Sequence, residues 1–139
     1  MKKLILMIFS IIVLTGFFVF ADEAQIPDTV IAYYFHGSFR CVTCTNMEKY
    51  SREAIQANFQ DELNSGRIEF KAVNVEEAGN EHFVNDYQLY TKSLILSLVK
   101  DGKEVKSKNL DKIWELARNK QKFIDYVTGE VNEFMKAAQ

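Results

Sequence analysis

Two cysteines three positions apart are the residues of this chain best suited to chemistry. Cys41 and Cys44 are its only cysteines, and they follow the apolar run from Thr29 to Phe35. A strand that leads into a C-x-x-C at the start of a helix is the arrangement of a redox dithiol. The N–H groups and positive end of a helix stabilise a thiolate. We therefore expect Cys41 to be the nucleophile and Cys44 to resolve the mixed disulfide.

Other uses of the same pair remain open. A purely structural disulfide is one, although closing so short a loop removes little entropy from the unfolded chain. A soft metal or metalloid could instead bind Cys41 and Cys44, with His36 as a third donor, but the spacing matches no common zinc motif. A third alternative is an interaction subunit whose cysteines are incidental. The redox interpretation implies neither an organic cofactor nor a resident metal.

The first 21 residues predict a secretory signal peptide. Lys2 and Lys3 precede an uncharged run from Leu4 to Phe20, and Ala21 supplies the small residue at the cleavage site. An uncleaved anchor is the alternative, because about 17 apolar residues are the lower limit for crossing a bilayer. We therefore expect residues 22–139 to form one exported, periplasmic or extracytoplasmic domain, held at the membrane if the leader remains.

Export and charge together limit the partners. Disulfides persist outside the cytoplasm, so the expected partner is a protein dithiol or disulfide, either soluble or a membrane electron donor. The formal net charge of −2 is ordinary for a soluble domain and predicts no nucleic-acid partner. Contact with the membrane is expected only through the leader or anchor.

The rest of the chain alternates strands and helices. Residues 30–35 are apolar on both sides of the expected strand, which predicts a central position in a sheet. Further elements are predicted as strands at 67–75, 93–99 and 104–106 and helices at 41–63, 81–90 and 110–137. Asp101-Gly102 predicts a hairpin turn, and Asn109 is the expected cap of the last helix. The apolar residues expected on the inner side of the first two helices are Met47, Tyr50, Ile55, Phe59, Leu63, Phe83, Tyr87 and Tyr90.

This order of elements resembles the thioredoxin fold, an α/β fold with a central mixed sheet of about four strands flanked by helices. The stretches 33–37, 40–44 and 86–93 look like a small bacterial family of exported thioredoxin-like proteins, the nitrophenyl compound nitroreductase subunit ArsF. That resemblance implies a link to arsenic-resistance or reductive operons. It adds a metalloid-binding accessory subunit of a reductase as an alternative function.

The sequence departs from thioredoxin at two positions near the dithiol. Thioredoxins place a cis-proline before the third strand, whereas residues 91–94 contain no proline and Ser93 is expected there. Thioredoxins also bury an acid behind the resolving cysteine, which the strand at 33–35 lacks. His36 could replace that acid, or serve as an ordinary hydrogen-bonding loop residue.

Two neighbours of Cys41 are expected to affect it. Arg40 could favour the thiolate through its positive charge, or it could simply point into water. Phe39 would either cover the dithiol or form an exposed contact for a partner.

Overall fold

A computed structural model describes residues 28–138. Its four strands are β1 (Thr29–His36), β2 (Ile68–Asn74), β3 (Ser93–Lys100) and β4 (Lys103–Asn109), and they form one sheet in the order β2-β1-β3-β4. β1 runs parallel to β2 and antiparallel to β3, and β3 is antiparallel to β4. The central position predicted for the first strand is therefore confirmed.

The helices lie on both sides of this sheet. They are α1 (Val42–Asn58), α2 (Gln60–Asn64), α3 (His82–Asp86), α4 (Ile113–Leu116) and α5 (Lys120–Lys136). α1 and α5 pack together and cover the face to which Val30, Ala32 and Tyr34 point. This side holds the core, whose largest buried members from the strands and helices are Tyr34, Met47, Ile55, Ile68, Leu94, Leu96, Ile113, Phe123 and Val127.

The opposite face of the sheet carries a smaller aromatic cluster. Tyr33 and Phe35 of β1 point to this side because successive strand residues alternate. Phe83 and Tyr87, from α3 and the residue after it, pack on Phe35 with ring centroids 5.0 and 5.3 Å away. A mixed sheet with helices on both faces and a parallel β1-α-β2 unit is the thioredoxin-like α/β fold that the element order predicts.

The signal-peptide prediction at residues 1–21, and the start of the domain at 22–27, lie outside the described residues. Within residues 28–138, no helix is long and apolar enough to cross a membrane.

Three element predictions were wrong in detail. The helix predicted at 41–63 breaks at Phe59, whose backbone leaves the helical region while its side chain stays in the core. The Asn58 amide donates to the carbonyl of Ala54 at 2.9 Å, and such local side-chain bonds compete with the helical backbone. The helix resumes as α2, which is followed by Gly66. Gly66 has a φ of 73°, a conformation that suits glycine at the end of a helix.

The predicted cap at Asn109 was wrong, because Asn109 is the last residue of β4. Asn109 is paired with Ile95, and the N–H of Leu110 still bonds to Leu94 on β3. The long last helix begins instead at Asn119, whose side chain accepts from the N–H of Lys122 at 3.0 Å. The hairpin turn between β3 and β4 is confirmed, with positive φ at both Asp101 and Gly102.

The helix predicted at 81–90 is only one turn long. Gln88 has a φ of 51°, and the bonds from Leu89 N–H to Val84 and from Gln88 N–H to Asn85 form a Schellman stop. Tyr90 therefore lies past the helix and is 94% exposed, so its prediction as a core residue was wrong. The residues predicted on the inner side of the first helix pack in or against the core: Met47, Tyr50, Ile55, Phe59 and Leu63. Phe83 and Tyr87 are packed too, but against Phe35 on the opposite face of the sheet.

Candidate functional site

The dithiol lies where β1 passes into α1. Cys41 is the residue that caps α1, with an extended backbone, and its Sγ accepts from the N–H of Cys44 at 3.1 Å. The sulfur thus takes the place of the oxygen that usually caps a helix. Cys41 and Cys44 are joined by a disulfide with their Cα atoms 5.0 Å apart. The amide that faces this sulfur would face a thiolate after reduction.

The two sulfurs differ in accessibility. Cys41 is half-buried, and its neighbour Val42 is 79% exposed, whereas Cys44 is 1% exposed. A thiolate from another molecule can therefore reach the sulfur of Cys41, whereas the surrounding protein shields the sulfur of Cys44.

A tyrosine lies beneath the dithiol in the core. Tyr34 of β1 is fully buried, and its hydroxyl donates to the carbonyl oxygen of Cys44 at 2.7 Å. Burial raises the pKa of Tyr34, nearby Arg40 lowers it and Glu48 raises it, with a net increase that keeps the hydroxyl protonated as a donor. Sequence reasoning missed this residue, although a tyrosine in an apolar strand signals a hydroxyl that needs a partner.

Replacing Tyr34 with phenylalanine should weaken the first turn of α1. The Tyr34→Phe variant keeps the ring but removes the donor, and we expect unfolding free energy to fall by about 1–2 kcal/mol. Urea unfolding of the oxidised proteins measures the change. Tyr90→Phe removes a hydroxyl from a side chain that is 94% exposed, and this matched control should change stability by less than about 0.5 kcal/mol. An equal loss in both variants would contradict the role of the Tyr34 hydroxyl.

Arg40 is held by an ion pair beside the dithiol. Its guanidinium donates to the carboxylate of Glu48 and to Nε2 of His36, the latter at 3.1 Å. Glu48 also accepts from Arg52 at 3.1 Å. Burial raises the pKa of Glu48, but the hydrogen bonds from both arginines outweigh it and hold the pKa below its usual value. Arg40 therefore neither points freely into water nor acts on Cys41 as an uncompensated charge.

His36 is fully hydrogen-bonded. Its Nδ1 lies 2.9 Å from the carbonyl oxygen of Gly37, and its Nε2 faces Arg40. An imidazole that donates from Nδ1 and accepts at Nε2 satisfies both contacts. To serve as a third metal ligand, His36 would have to release one of these partners. Among residues 28–138, no group of three or more His, Cys, Asp or Glu side chains is arranged to hold a metal ion.

The loop before Cys41 is tied to the segment that follows β2. The N–H of Val75 bonds to the carbonyl of His36 at 2.8 Å, and the N–H of Ser38 bonds to Glu76 at 2.9 Å. The side-chain and backbone hydrogen bonds between Ser38 and Glu76 lower the pKa of the Glu76 carboxyl, and the nearby Lys92 and His36 lower it further. Glu76 passes so close to Gly37 that a Cβ there would meet its carboxylate. Backbone and side-chain hydrogen bonds thus fix the loop before Cys41 to the segment after β2.

Phe39 and the segment before β3 form the rim of the site. Phe39 is 74% exposed, and the Lys92 ammonium lies 5.7 Å from its ring centroid. Ser93 is buried at the start of β3, paired with Phe35, and its hydroxyl donates to the carbonyl of Thr91 at 3.0 Å. No cis peptide occurs between residues 28 and 138. The indole N–H of Trp114 on α4 donates to the Lys92 carbonyl at 2.9 Å, a contact that the sequence did not predict.

The strand order, together with a C-x-x-C disulfide at the N-terminus of α1, defines a thioredoxin-like fold with a dithiol at the start of its first helix. No family model matches the sequence, and no curated protein matches it. The resemblance to the ArsF family is therefore an expectation from the motifs alone.

Solved structures similar to this chain include three thioredoxins. The thioredoxin of Fasciola hepatica is 21% identical, with a TM-score of 0.39 over 68% of this chain and 81% of its own. Thioredoxin-2, a component of the malaria parasite protein secretion machinery, is 19% identical, with a TM-score of 0.38 over 70% and 88%. Chlamydomonas reinhardtii thioredoxin f2 is 17% identical, with a TM-score of 0.37 over 71% and 83%. Since each TM-score is below 0.5, the fold assignment rests on the strand order of this chain.

Proposed function

We propose that this chain is an exported thiol–disulfide oxidoreductase that passes electrons through Cys41 and Cys44. One observation carries the proposal: the disulfide caps α1 with an accessible sulfur at Cys41 and a buried sulfur at Cys44. This asymmetry is what two-step exchange needs, because the partner must meet one defined sulfur and the other must stay inside until it is required.

In the proposed exchange, the oxidised form of the chain reacts with a partner dithiol. A partner thiolate attacks Sγ of Cys41, the Cys41–Cys44 bond breaks, and Cys44 leaves as a thiolate that takes a proton. The partner's second thiolate then attacks the partner sulfur that is bonded to Cys41. The mixed disulfide breaks, and Cys41 leaves as a thiolate that takes a proton. The partner has lost two electrons and two protons, and the chain holds a dithiol. The reverse sequence reduces a partner disulfide by the same two steps.

The helix end supplies the stabilisation of the Cys41 thiolate in this proposal. The Cys44 N–H already points at Sγ of Cys41, and the first turn of α1 adds the partial positive charge of its N-terminus. Arg40 adds little, because Glu48 balances its charge. We therefore expect the pKa of the Cys41 thiol to lie below the ordinary value of a free cysteine, ~8.5.

Equilibration with glutathione redox buffers tests the proposal. A working dithiol should change between its reduced and oxidised forms at a potential between about −270 and −120 mV, the range of redox-active C-x-x-C proteins. Alkylation of the reduced protein as a function of pH should place the Cys41 pKa below that of a cysteine in an unfolded peptide. A pair that stays oxidised below about −300 mV would behave as a structural disulfide and overturn the proposal.

Export is a separate part of the proposal and rests on the leader at residues 1–21. The mature N-terminus of protein recovered from the extracytoplasmic fraction checks it, and we expect cleavage after Ala21. The link to an ArsF-type reductase system, and the binding of a metalloid by the reduced cysteines, stay predictions from the sequence.

A further inference from the structure

A cavity of about 170 Å³ lies beside the loop before Cys41, which contributes His36 and Gly37 to its lining. The apolar residues that line it are Phe35, Val75, Val84 and Leu89. Sites for drug-sized ligands have volumes of about 300–1,000 Å³. A cavity of this smaller size suits a ligand no larger than an amino acid.

Two opposite charges line the same cavity. Lys92 directly precedes β3, and Glu76 lies two residues after β2. In the part of the chain that the structure describes, no ion pair joins them, so their charged atoms are more than 4.0 Å apart. They still interact, since Lys92 adds to the lowering of the Glu76 pKa that the Ser38 hydrogen bonds cause. A cation and a carboxylate thus line one cavity without being in contact.

Both charged residues are anchored and can still make further contacts. The carbonyl of Lys92 accepts from the indole N–H of Trp114 at 2.9 Å, and its ammonium lies 5.7 Å from the ring centroid of Phe39. The carboxylate of Glu76 accepts from the N–H of Ser38 at 2.9 Å. A carboxylate has about four acceptor positions and an ammonium three donors, so neither group is saturated. Groups that are ordered before a ligand arrives lose little freedom when they bind it.

The surroundings of Lys92 are balanced in charge. Asp111 and Trp114 share with Lys92 a second cavity, of about 70 Å³, which has room for a few waters only. Lys92 therefore lies between the carboxylates of Glu76 and Asp111. A ligand of one charge would be attracted by one of these groups and repelled by another, whereas a zwitterion matches both signs.

We infer that the larger cavity binds the α-amino-acid end of a small disulfide, with Lys92 facing its carboxylate and Glu76 its ammonium. A free α-amino acid carries both charges on one carbon, and a residue inside a polypeptide carries neither. The apolar lining would contact the CH₂–S part of the ligand. The inference rests on the proposed function, because the disulfide of the ligand has to react with Cys41. It adds amino-acid disulfides of the cystine type to the protein partners as a second substrate class.

The reaction of the reduced chain with cystine follows the two steps of the proposed function. The thiolate of Cys41 attacks one sulfur of cystine, and one cysteine leaves as a thiolate that takes a proton. The thiolate of Cys44 then attacks the sulfur of Cys41, which closes the protein disulfide and releases the second cysteine. Cystine has gained two electrons and two protons, and the chain has lost them. A partner dithiol supplies the next pair.

Small disulfides that differ in their charged groups test the site. Cystine carries both charges, cystamine only ammonium groups, dithiodipropionate only carboxylates, and 2-hydroxyethyl disulfide neither. The full chain is reduced with dithiothreitol, freed of it, and mixed with each disulfide. Each rate constant is divided by that of dithiothreitol with the same disulfide, which removes differences in intrinsic reactivity. We expect the normalised rate for cystine to exceed each of the others by about 5-fold at low salt, and this preference to shrink near 1 M salt.

Two substitutions assign the preference to the cavity. Lys92→Met should lower the normalised rate for cystine to that for cystamine, because the carboxylate of the ligand loses its partner. Glu76→Gln should lower it to that for dithiodipropionate, and glutamine keeps an acceptor for the N–H of Ser38. Glu77→Gln and Lys103→Met are the matched controls, because neither residue is among those that line the cavity. Both controls should keep the wild-type preference.

The outcomes separate this inference from the proposed function. Equal normalised rates for all these disulfides would overturn the amino-acid site and leave the oxidoreductase standing. A fastest reaction with cystamine or dithiodipropionate would show a response to one charge only and would also overturn the site. So would a preference for cystine that survives both Lys92→Met and Glu76→Gln, or one that the controls lose equally. Failure to react with any of the disulfides would remove the oxidoreductase itself, and this substrate class with it.

Discussion

Replacing Cys44 with serine should stop exchange at a mixed disulfide between Cys41 and the partner. Cys41 remains accessible at the start of α1, so the first attack proceeds, but no second thiol is present to release the partner. We expect multi-turnover reduction of a peptide disulfide to fall by about 100-fold or more. Mass spectrometry of the non-reduced protein should show the added mass of one partner chain.

The matched control exchanges the other sulfur. Cys41→Ser leaves Cys44, which is 1% exposed, and we expect this variant to form almost no mixed disulfide. The same comparison in cells would recover the natural partner with Cys44→Ser only. Equal trapping by the two variants would mean that the accessible and buried sulfurs are not distinguished, and the order of attack proposed here would be wrong.

Removal of the Phe123 ring should cost the largest share of stability among the changes considered. Phe123 on α5 is fully buried, and its ring meets the edge of Tyr50 on α1 with centroids 5.6 Å apart. Phe123→Ala leaves a cavity between the two helices, for which we expect a loss of about 3–5 kcal/mol. Urea unfolding of the oxidised proteins measures it, and that loss is a large part of the stability of a typical small domain.

Phe39→Ala is the matched control, because it removes the same ring from the surface. Phe39 is 74% exposed, and its loss should change stability by less than about 0.5 kcal/mol. Comparable losses at both positions would show that Phe39 has a core role that its exposure does not suggest. A small loss for Phe123→Ala would mean that α1 and α5 can close over the missing ring.

The dithiol and the elements around it could be predicted from the sequence because their signals are local. The run at 30–35 is apolar on both faces, and the C-x-x-C begins a helical pattern immediately after it. The dipeptide Asp101-Gly102 is likewise a local signal. It predicts the hairpin between β3 and β4, since few dipeptides adopt two positive φ values. The central strand, the start of the helix at the C-x-x-C and the hairpin at 101–102 were confirmed.

The remaining features depend on contacts between distant parts of the chain. Asn109 and Asn119 are equally good caps by residue type, and only the pairing of Asn109 with Ile95 in the sheet decides between them. The bonds of Tyr34 to Cys44 and of Trp114 to Lys92 join residues 10 and 22 positions apart. No periodic pattern records such side-chain bonds, so the sequence did not predict how the dithiol is supported.

The indole of Trp114 gives this chain a built-in optical reporter. It is the only tryptophan in the 139 residues, it is 40% exposed, and its N–H is bonded to the backbone of Lys92. Emission from a single indole is sensitive to hydration and to hydrogen bonding at its nitrogen. Ligand docking near that segment can thus be followed by fluorescence on the unlabelled polypeptide, without a dye or a second chromophore.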